Sequence, residues 1–400
     1  MSTVALREPA LSRFAAATAV YGGGFIIGAT LVSFPASSAF LRATHGFTDA
    51  QYGAIYLPQL LAATAGALLG SFASKSWSLK RMYASALVLF GAAHTLLAVT
   101  AGTPSGPALW TIMAATACFG FGFGFGGGPL NGIAALLYPR TSNTAITALH
   151  MTAGAGLTVA PFFFASLATQ GRWIAAPVSL LLITIALLAL TLRTELSEPS
   201  PVPATAVGGG PRLPSDRRFV LALAAAVAYA LAEGTFSNWA VLYVQDDLAL
   251  SVRTAAAALT AFWAMVTLGR LAAAVLALRV RPVAFLVTAP LLMAGALLVL
   301  RSVHSPASVV LAFGFAGVAC SAFLPMLVGF SAEYRPRDVS MIAAMLTAAL
   351  MVGVGIGSYA VGAMRGSTPI REMYLYSLVY PLVALAAIAV ASGRGRAQRT

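Results

Sequence analysis

ELSEPSPVPATAVGGGPRLPSDRR, residues 195–218, is the only long hydrophilic passage in a chain of 400 residues. On each side of it lie several apolar stretches of roughly 20 residues, the length that crosses a hydrocarbon core. The passage therefore divides the sequence into two near-equal membrane-spanning halves. Its proline, glycine and serine content suits a flexible connector.

Composition leads to the same class. Charged residues make up 9% of the chain and the mean hydropathy is +0.87. So little polar surface cannot clothe a soluble globule of this size, and the excess apolar surface must face lipid. In hydrocarbon every backbone N–H and C=O has to be satisfied within the protein. Long apolar runs without strand alternation do so as helices, not as a barrel. The expected fold is all-α and polytopic, with twelve spans at about 14–39, 52–74, 82–101, 107–137, 144–168, 173–192, 219–244, 254–278, 283–301, 307–331, 339–363 and 373–391. Arg7 and Arg13 before the first run imitate a secretory signal. That run is too long for one and leads into the next span, so it is expected to remain as the first helix.

The formal charge of +13 raises the question of a nucleic-acid partner. With both termini in the cytoplasm, seventeen Lys and Arg residues fall inside, among them Lys75, Lys80, Arg81, Arg140, Arg193 and Arg217. Six fall outside (Arg42, Arg172, Arg253, Arg301, Arg365 and Arg371), and Arg270 lies within a span. This is the positive-inside asymmetry, and it predicts a multi-pass protein of the cell (inner) membrane with cytoplasmic termini. Basicity is then orientation against anionic membrane lipid, and no nucleic acid is expected as a partner. Cys118 and Cys320 lie inside spans and read as small apolar residues. Neither a disulfide, a metal site nor a cofactor is expected.

The two halves repeat one plan. Pro129 precedes Tyr138 as Pro325 precedes Tyr334, at an offset of 196, and Pro139-Arg140 and Gly156 match Pro336-Arg337 and Gly353 at 197. Thr48 and Gly66 match Ser251 and Gly269 at 203, and Tyr21 matches Tyr229 at 208. The offset drifts in steps that loop-length differences require. Two pseudo-symmetric six-helix bundles are expected: 1–193, then a cytoplasmic linker at 194–218, then 219–400 with a short basic tail.

With its 6+6 plan, long central loop and short basic loops after spans 2, 4, 8 and 10, the chain resembles the major facilitator superfamily over essentially its whole length. Within it the chain is most similar to the bacterial sugar and fucose permease-like branch, through GFGFGFGGGPLN at 120–131, ALHMTAGAGLTVAP at 148–161, AEGTFSNWAVLYV at 232–244 and TLGRLAAAVLALR at 267–279. The resemblance implies alternating-access transport, with spans 1, 4, 5, 7, 8, 10 and 11 lining the cavity. The family's loop 2–3 signature survives only as GSFASKSWSLKR at 70–81. Gly70 is kept, Ser74 stands at the usual Asp position and Lys75 at the Arg position. In the family that Asp pairs across the cytoplasmic gate, so the gate here must be latched differently or more weakly. The antiporter signature of span 5 is degraded to Gly156, Ala160-Pro161 and Phe162-Phe163.

Ionisable groups within spans point to function, because each is costly unless it faces a cavity or a partner. His150, Glu233 and Arg270 stand out. Glu233 and Arg270 differ in depth by roughly one turn, at about 1.5 Å rise per residue, so an ion pair between them is feasible. Burial disfavours an ionised carboxylate, which makes a cavity-facing Glu233 a candidate proton site with Arg270 as counter-charge. The competing reading is a permanent structural pair. Arg270 has no counterpart in the first half, where the repeat places Ala67. His150 is a candidate proton relay or a packing residue.

Tyr229, Glu233 and Ser237 recur at helical spacing on one face, with Asn238 and Trp239 beside them. An aromatic plane with amide and hydroxyl groups suits a sugar or other small polar metabolite. Trp239 and Tyr243 also read as interfacial anchors, and for Tyr243 that reading is preferred. Asn131 is a substrate candidate in span 4, whereas Gln59 reads as a bridge between helices. Tyr21 joins the candidates beside a Gly22-Gly23-Gly24 break that would expose backbone groups to substrate. Gly120, Gly124 and Gly128 form one small face and Gly122 with Gly126 another, suited either to sliding helices or to static packing.

The leading expectation is a secondary active transporter of a small solute, proton-coupled and acting as a symporter. The alternative is proton-driven efflux of drugs or amphipathic metabolites, through an adaptable pocket lined by residues such as Met151, Phe162 and Met326. No GxxxxGK[ST] loop supports ATP-driven transport. A remote alternative is an intramembrane lipid-modifying enzyme, for which Asp246-Asp247 is the only acidic pair. Without a nearby histidine it reads as a loop cap, and no catalytic residue is assigned.

Overall fold

Apolar runs without alternation become helices throughout. The computed structural model describes residues 10–196, 216–334, 339–366 and 368–397. Most of the expected linker, 197–215, lies outside these residues, as do Arg7, Arg212, Arg335, Arg337 and Arg399 of the charge tally. Among the described residues, twelve helices are long and apolar enough to cross a membrane. Spans 1 to 6 are Arg13–Ala36, Asp49–Ala73, Leu79–Thr100, Ser105–Leu137, Thr144–Thr169 and Ala175–Arg193. Spans 7 to 12 are Arg217–Asn238, Val252–Leu276, Pro282–Ser302, Pro306–Ser331, Met341–Arg365 and Ile370–Ser392. Large side chains such as Leu68, Trp110, Leu182, Leu278 and Leu311 stay exposed, as a lipid-facing perimeter requires. We call the end where span 1 begins and span 12 finishes the terminal face, and the opposite end the distal face.

Three spans expected to be continuous are broken. Span 2 divides into Asp49–Ala54 and Tyr56–Ala73, span 10 into Pro306–Ser321 and Phe323–Tyr334, and span 12 into Ile370–Tyr376 and Val379–Ala397. Each break lies three to four residues before a proline: Pro58, Pro325 and Pro381. A proline ring lacks the N–H and crowds the carbonyl four residues earlier, here that of Ala54, Ser321 or Ser377. Span 7 also stops short of its expected end. It finishes at Asn238, and the chain goes on as a short helix Ala240–Leu242 and one widened turn Tyr243–Asp247.

Span 1 behaves in the opposite way. The helix Ala10–Ala36 passes through Gly22-Gly23-Gly24 without a break, so no backbone groups are freed there. Those glycines are contact points: a Cβ would strike Leu187 at Gly22, the Tyr83 hydroxyl at Gly23 and Leu149 or Thr152 at Gly24. Four residues on, Gly28 lies against the Ala153 carbonyl, and Gly156 returns the contact against Phe25. Spans 1 and 5 therefore approach backbone to backbone.

The glycine-rich span 4 packs on two sides within its own bundle. Gly120 and Gly124 abut the carbonyls of Gln59 and Ala63 in span 2, while Gly122 and Gly126 meet Phe90 and Ala86 of span 3. In the second bundle Gly317 abuts the Phe262 carbonyl. Gly120 with Gln59 and Gly317 with Phe262 stand at the repeat offsets of 197 and 203, so the duplication extends to individual helix contacts.

Two seams join the bundles. At one, span 2 meets span 11, where Gly53 faces the Ser358 carbonyl and Gly362 faces the Asp49 carbonyl. At the other, span 5 meets span 8, where Gly154 faces Thr267.

Candidate functional site

The seam between spans 5 and 8 sets the position of the ionisable groups. The two helices run antiparallel, and Thr260 donates to the Thr158 carbonyl at 3.1 Å on the distal side. Gly154 against Thr267 follows one turn along span 5. A further turn toward the terminal face brings His150, four residues before Gly154, opposite Arg270, three residues after Thr267. His150 belongs to the first bundle and Arg270 to the second.

Spans 7 and 10 complete the site from behind Arg270. The Tyr229 hydroxyl donates to the Cys320 carbonyl at 2.9 Å, and its ring stacks on Phe323 at 5.0 Å between centroids. Gly269 packs against Ser321, which brings Arg270 beside the same stretch of span 10. One turn above Tyr229, Glu233 is 5% exposed, and its Oε2 is buried with no hydrogen-bond partner. Arg270 is close enough for its charge to act on Glu233. The feasible ion pair between them is not made. Among the described residues no carboxylate contacts the Arg270 guanidinium, and its Nε is buried without a partner.

The remaining members of the span 7 stripe are engaged by protein. Ser237 donates to the Glu233 carbonyl at 2.9 Å. Asn238 donates through Nδ2 to the Ser358 hydroxyl at 2.7 Å, and Trp239 through Nε1 to the Ser358 carbonyl at 3.1 Å. Tyr52 of span 2 donates to the Asn238 carbonyl at 3.0 Å, and its ring stands edge-on to Trp239 at 5.1 Å. Asn238 and Trp239 thus lie inside the seal between the bundles in this conformation, away from any open wall. Tyr243 is fully buried, donates to the Leu300 carbonyl and meets Tyr374 edge-on at 4.9 Å, so it is no interfacial anchor. Burial pushes its hydroxyl up to about 12 against the opposing effect of Arg371.

The other candidates lie apart from this cluster. Asn131 is half-buried, donates to the Gly127 carbonyl at 2.8 Å and leaves its Oδ1 buried and unpartnered. Gln59 is buried with Oε1 unpartnered at the contact between spans 2 and 4. Tyr21 sits near Tyr138 toward the terminal face. His94 of span 3, which the sequence reading passed over, is fully buried between Thr30 at 3.0 Å and Thr184 at 3.5 Å. It ties spans 1, 3 and 6 together, and its one signal was an ionisable side chain in an apolar run.

The distal face carries a charged network. Arg42 contacts Asp49 at 3.2 Å and Asp246 at 2.5 Å. Arg365 contacts Asp49 at 3.0 Å, Asp246 at 2.9 Å and Asp247 at 3.3 Å. Asp247 also accepts the Arg371 backbone N–H at 2.9 Å. Asp246-Asp247 therefore does more than cap a loop: with Arg42, Asp49 and Arg365 it joins both bundles. At the terminal face, Ser74 donates to the Ser71 carbonyl at 2.9 Å and Lys75 lies over the Phe72 ring at 5.7 Å, both within their own segment. Gly70 is buried against Phe125 of the same bundle.

The overall fold has counterparts of known structure. The chain superposes on a D-xylose-proton symporter with a TM-score of 0.77 at 13% identity, covering 95% of this chain and 97% of that one. The chain has the major facilitator fold. A bacterial homologue of the human lysosomal transporter Spinster, inward-facing and occupied, superposes at 0.77 with 15% identity, covering 96% and 97%. The E. coli fucose:proton symporter does so at 0.62 with 15% identity, covering 96% and 100%. No family profile matches the sequence, and no curated protein matches it. His150 and Arg270 face each other across the seam between the two bundles, with Glu233 behind Arg270 in the second.

Proposed function

We propose that the chain is a secondary active transporter that moves a small polar solute across the cell membrane by alternating access, coupled to protons at Glu233. The observation that carries this reading is Glu233 itself. It is a carboxyl buried behind Arg270, with an unpartnered oxygen and a basic neighbour that does not hold it in an ion pair. A carboxyl so placed gains and loses a proton as the cavity changes side. Two of the structurally similar proteins are proton symporters, of D-xylose and of fucose, which supports it. With the termini cytoplasmic, as the positive-inside asymmetry favours, the distal network closes the outer side and the chain stands inward-facing.

Purified protein in proteoliposomes under an imposed pH gradient, preceded by a thermal-shift screen of candidate solutes, tests the proposal. Uphill uptake driven by an inward proton gradient supports symport, and exchange against that gradient supports efflux. Glu233→Gln is expected to abolish uphill movement while keeping downhill exchange. Full gradient-driven activity in that variant removes Glu233 from the mechanism.

A further inference from the structure

Arg270 lies in the interior of span 8, six residues from its terminal-face end, and among the described residues its charge has no ion-pair partner at the interface between the bundles. Every nearby group that might satisfy it is otherwise arranged. Glu233 is not in ion-pair contact with it, and the Tyr229 hydroxyl already donates to the Cys320 carbonyl. His150 faces it from the opposite bundle and cannot neutralise it, since imidazole is neutral or cationic. Two basic groups thus converge from opposite bundles, with one carboxyl behind them. When that carboxyl carries its proton, the site has net positive charge and no anion.

We infer that the solute carries a carboxylate, which Arg270 binds from the second bundle and His150 contacts from the first. A guanidinium meets a carboxylate through two parallel N–H···O bonds, a geometry that a neutral sugar hydroxyl does not reproduce. A single carboxylate also neutralises a single guanidinium, whereas a dianion leaves charge over. Ionised Glu233 and a bound solute carboxylate compete for Arg270. Solute entry therefore goes with protonation of Glu233, and the two move together. The assignment rests on the transport reading above and narrows its substrate class.

The test uses the purified full-length chain, and its labelling arm needs no knowledge of the solute. Phenylglyoxal modifies accessible, unpaired arginines, and peptide mass spectrometry reads its rate at Arg270 against exposed Arg279. The probes are acetate, its neutral isostere acetamide, and chloride at equal ionic strength. Acetate is expected to slow labelling at Arg270 about fivefold or more relative to chloride, the scale of one charge-assisted pair. Acetamide leaves Arg270 unprotected, and neither probe protects Arg279. In Glu233→Gln, where the internal competitor is gone, protection sets in at lower acetate concentration. The inference is overturned if Arg270 resists labelling without acetate, or if acetate protects it no better than acetamide or chloride. Protection by acetate together with unimpaired uphill transport in Glu233→Gln sinks the proton reading alone. Missing protection together with lost uphill transport sinks the carboxylate assignment alone.

Discussion

Arg365 joins the two bundles through one side chain. It is 8% exposed and meets Asp49 of the first bundle and Asp246 and Asp247 of the second, with its guanidinium 5.8 Å above the Trp239 ring. Removing it leaves Asp247, itself 9% exposed, short of a cation, the costly half of breaking a buried pair. Arg365→Ala should shift the equilibrium toward a distal-open form by about 1–3 kcal/mol. Spin-label distances across the distal ends of spans 2 and 11 would read that shift, and unchanged distances would contradict it. Arg365→Lys, with one point charge for a fork, should fall between. His45, beside the same face, supplies the pH dependence. Burial pushes its imidazole below the ordinary value of 6.5, with the Thr100 backbone opposing. The folded chain thus takes up this proton less readily than the unfolded chain. The associated stability is full above about pH 6.5 and is lost as pH falls through the lowered value. The Tm should drop from pH 7 to 5 more steeply in the native chain than in His45→Gln; equal slopes would exclude the effect.

Among the helices, the closest approaches are made by glycines that sequence reading treats as one class. Gly28 and Gly128 both look like small residues in apolar runs. A Cβ at Gly28 overlaps the Ala153 carbonyl, whereas at Gly128 it meets nothing. Gly28→Ala should therefore destabilise by about 1–3 kcal/mol, as overpacking does, while Gly128→Ala should be neutral or slightly stabilising. Thermal unfolding of the two variants in detergent separates them, and equal Tm values would refute the packing account. The proline breaks teach the converse. Pro58, Pro325 and Pro381 were visible, yet membrane helices often carry proline because neighbours satisfy the freed carbonyls. Whether a given proline ends a helix depends on those neighbours.

Across the whole molecule, the bonds from Arg42 to Asp246, Arg365 to Asp49, Tyr52 to Asn238 and Thr260 to Thr158 join the bundles in their distal halves. Alternating access requires these bonds to part. Cysteines replacing Arg42 and Asp246, in a chain lacking Cys118 and Cys320, should arrest transport when bridged by a short cleavable thiol cross-linker and release it on reduction. Transport that persists in the bridged protein would show that the distal face need not open. The sequence alone determined the twelve spans, the duplication and the three ionisable candidates. Hydropathy is a local property, and a charge in an apolar run is conspicuous wherever the run packs. Only the tertiary structure decided which groups meet. Asp246 finds Arg42 across 204 residues of chain, Asn238 and Trp239 turn into a seal, and Arg270 stands beside Glu233 without pairing. Those outcomes depend on how two bundles dock through backbone contacts at Gly53, Gly154 and Gly362, and docking geometry is not written in the pattern of any one helix.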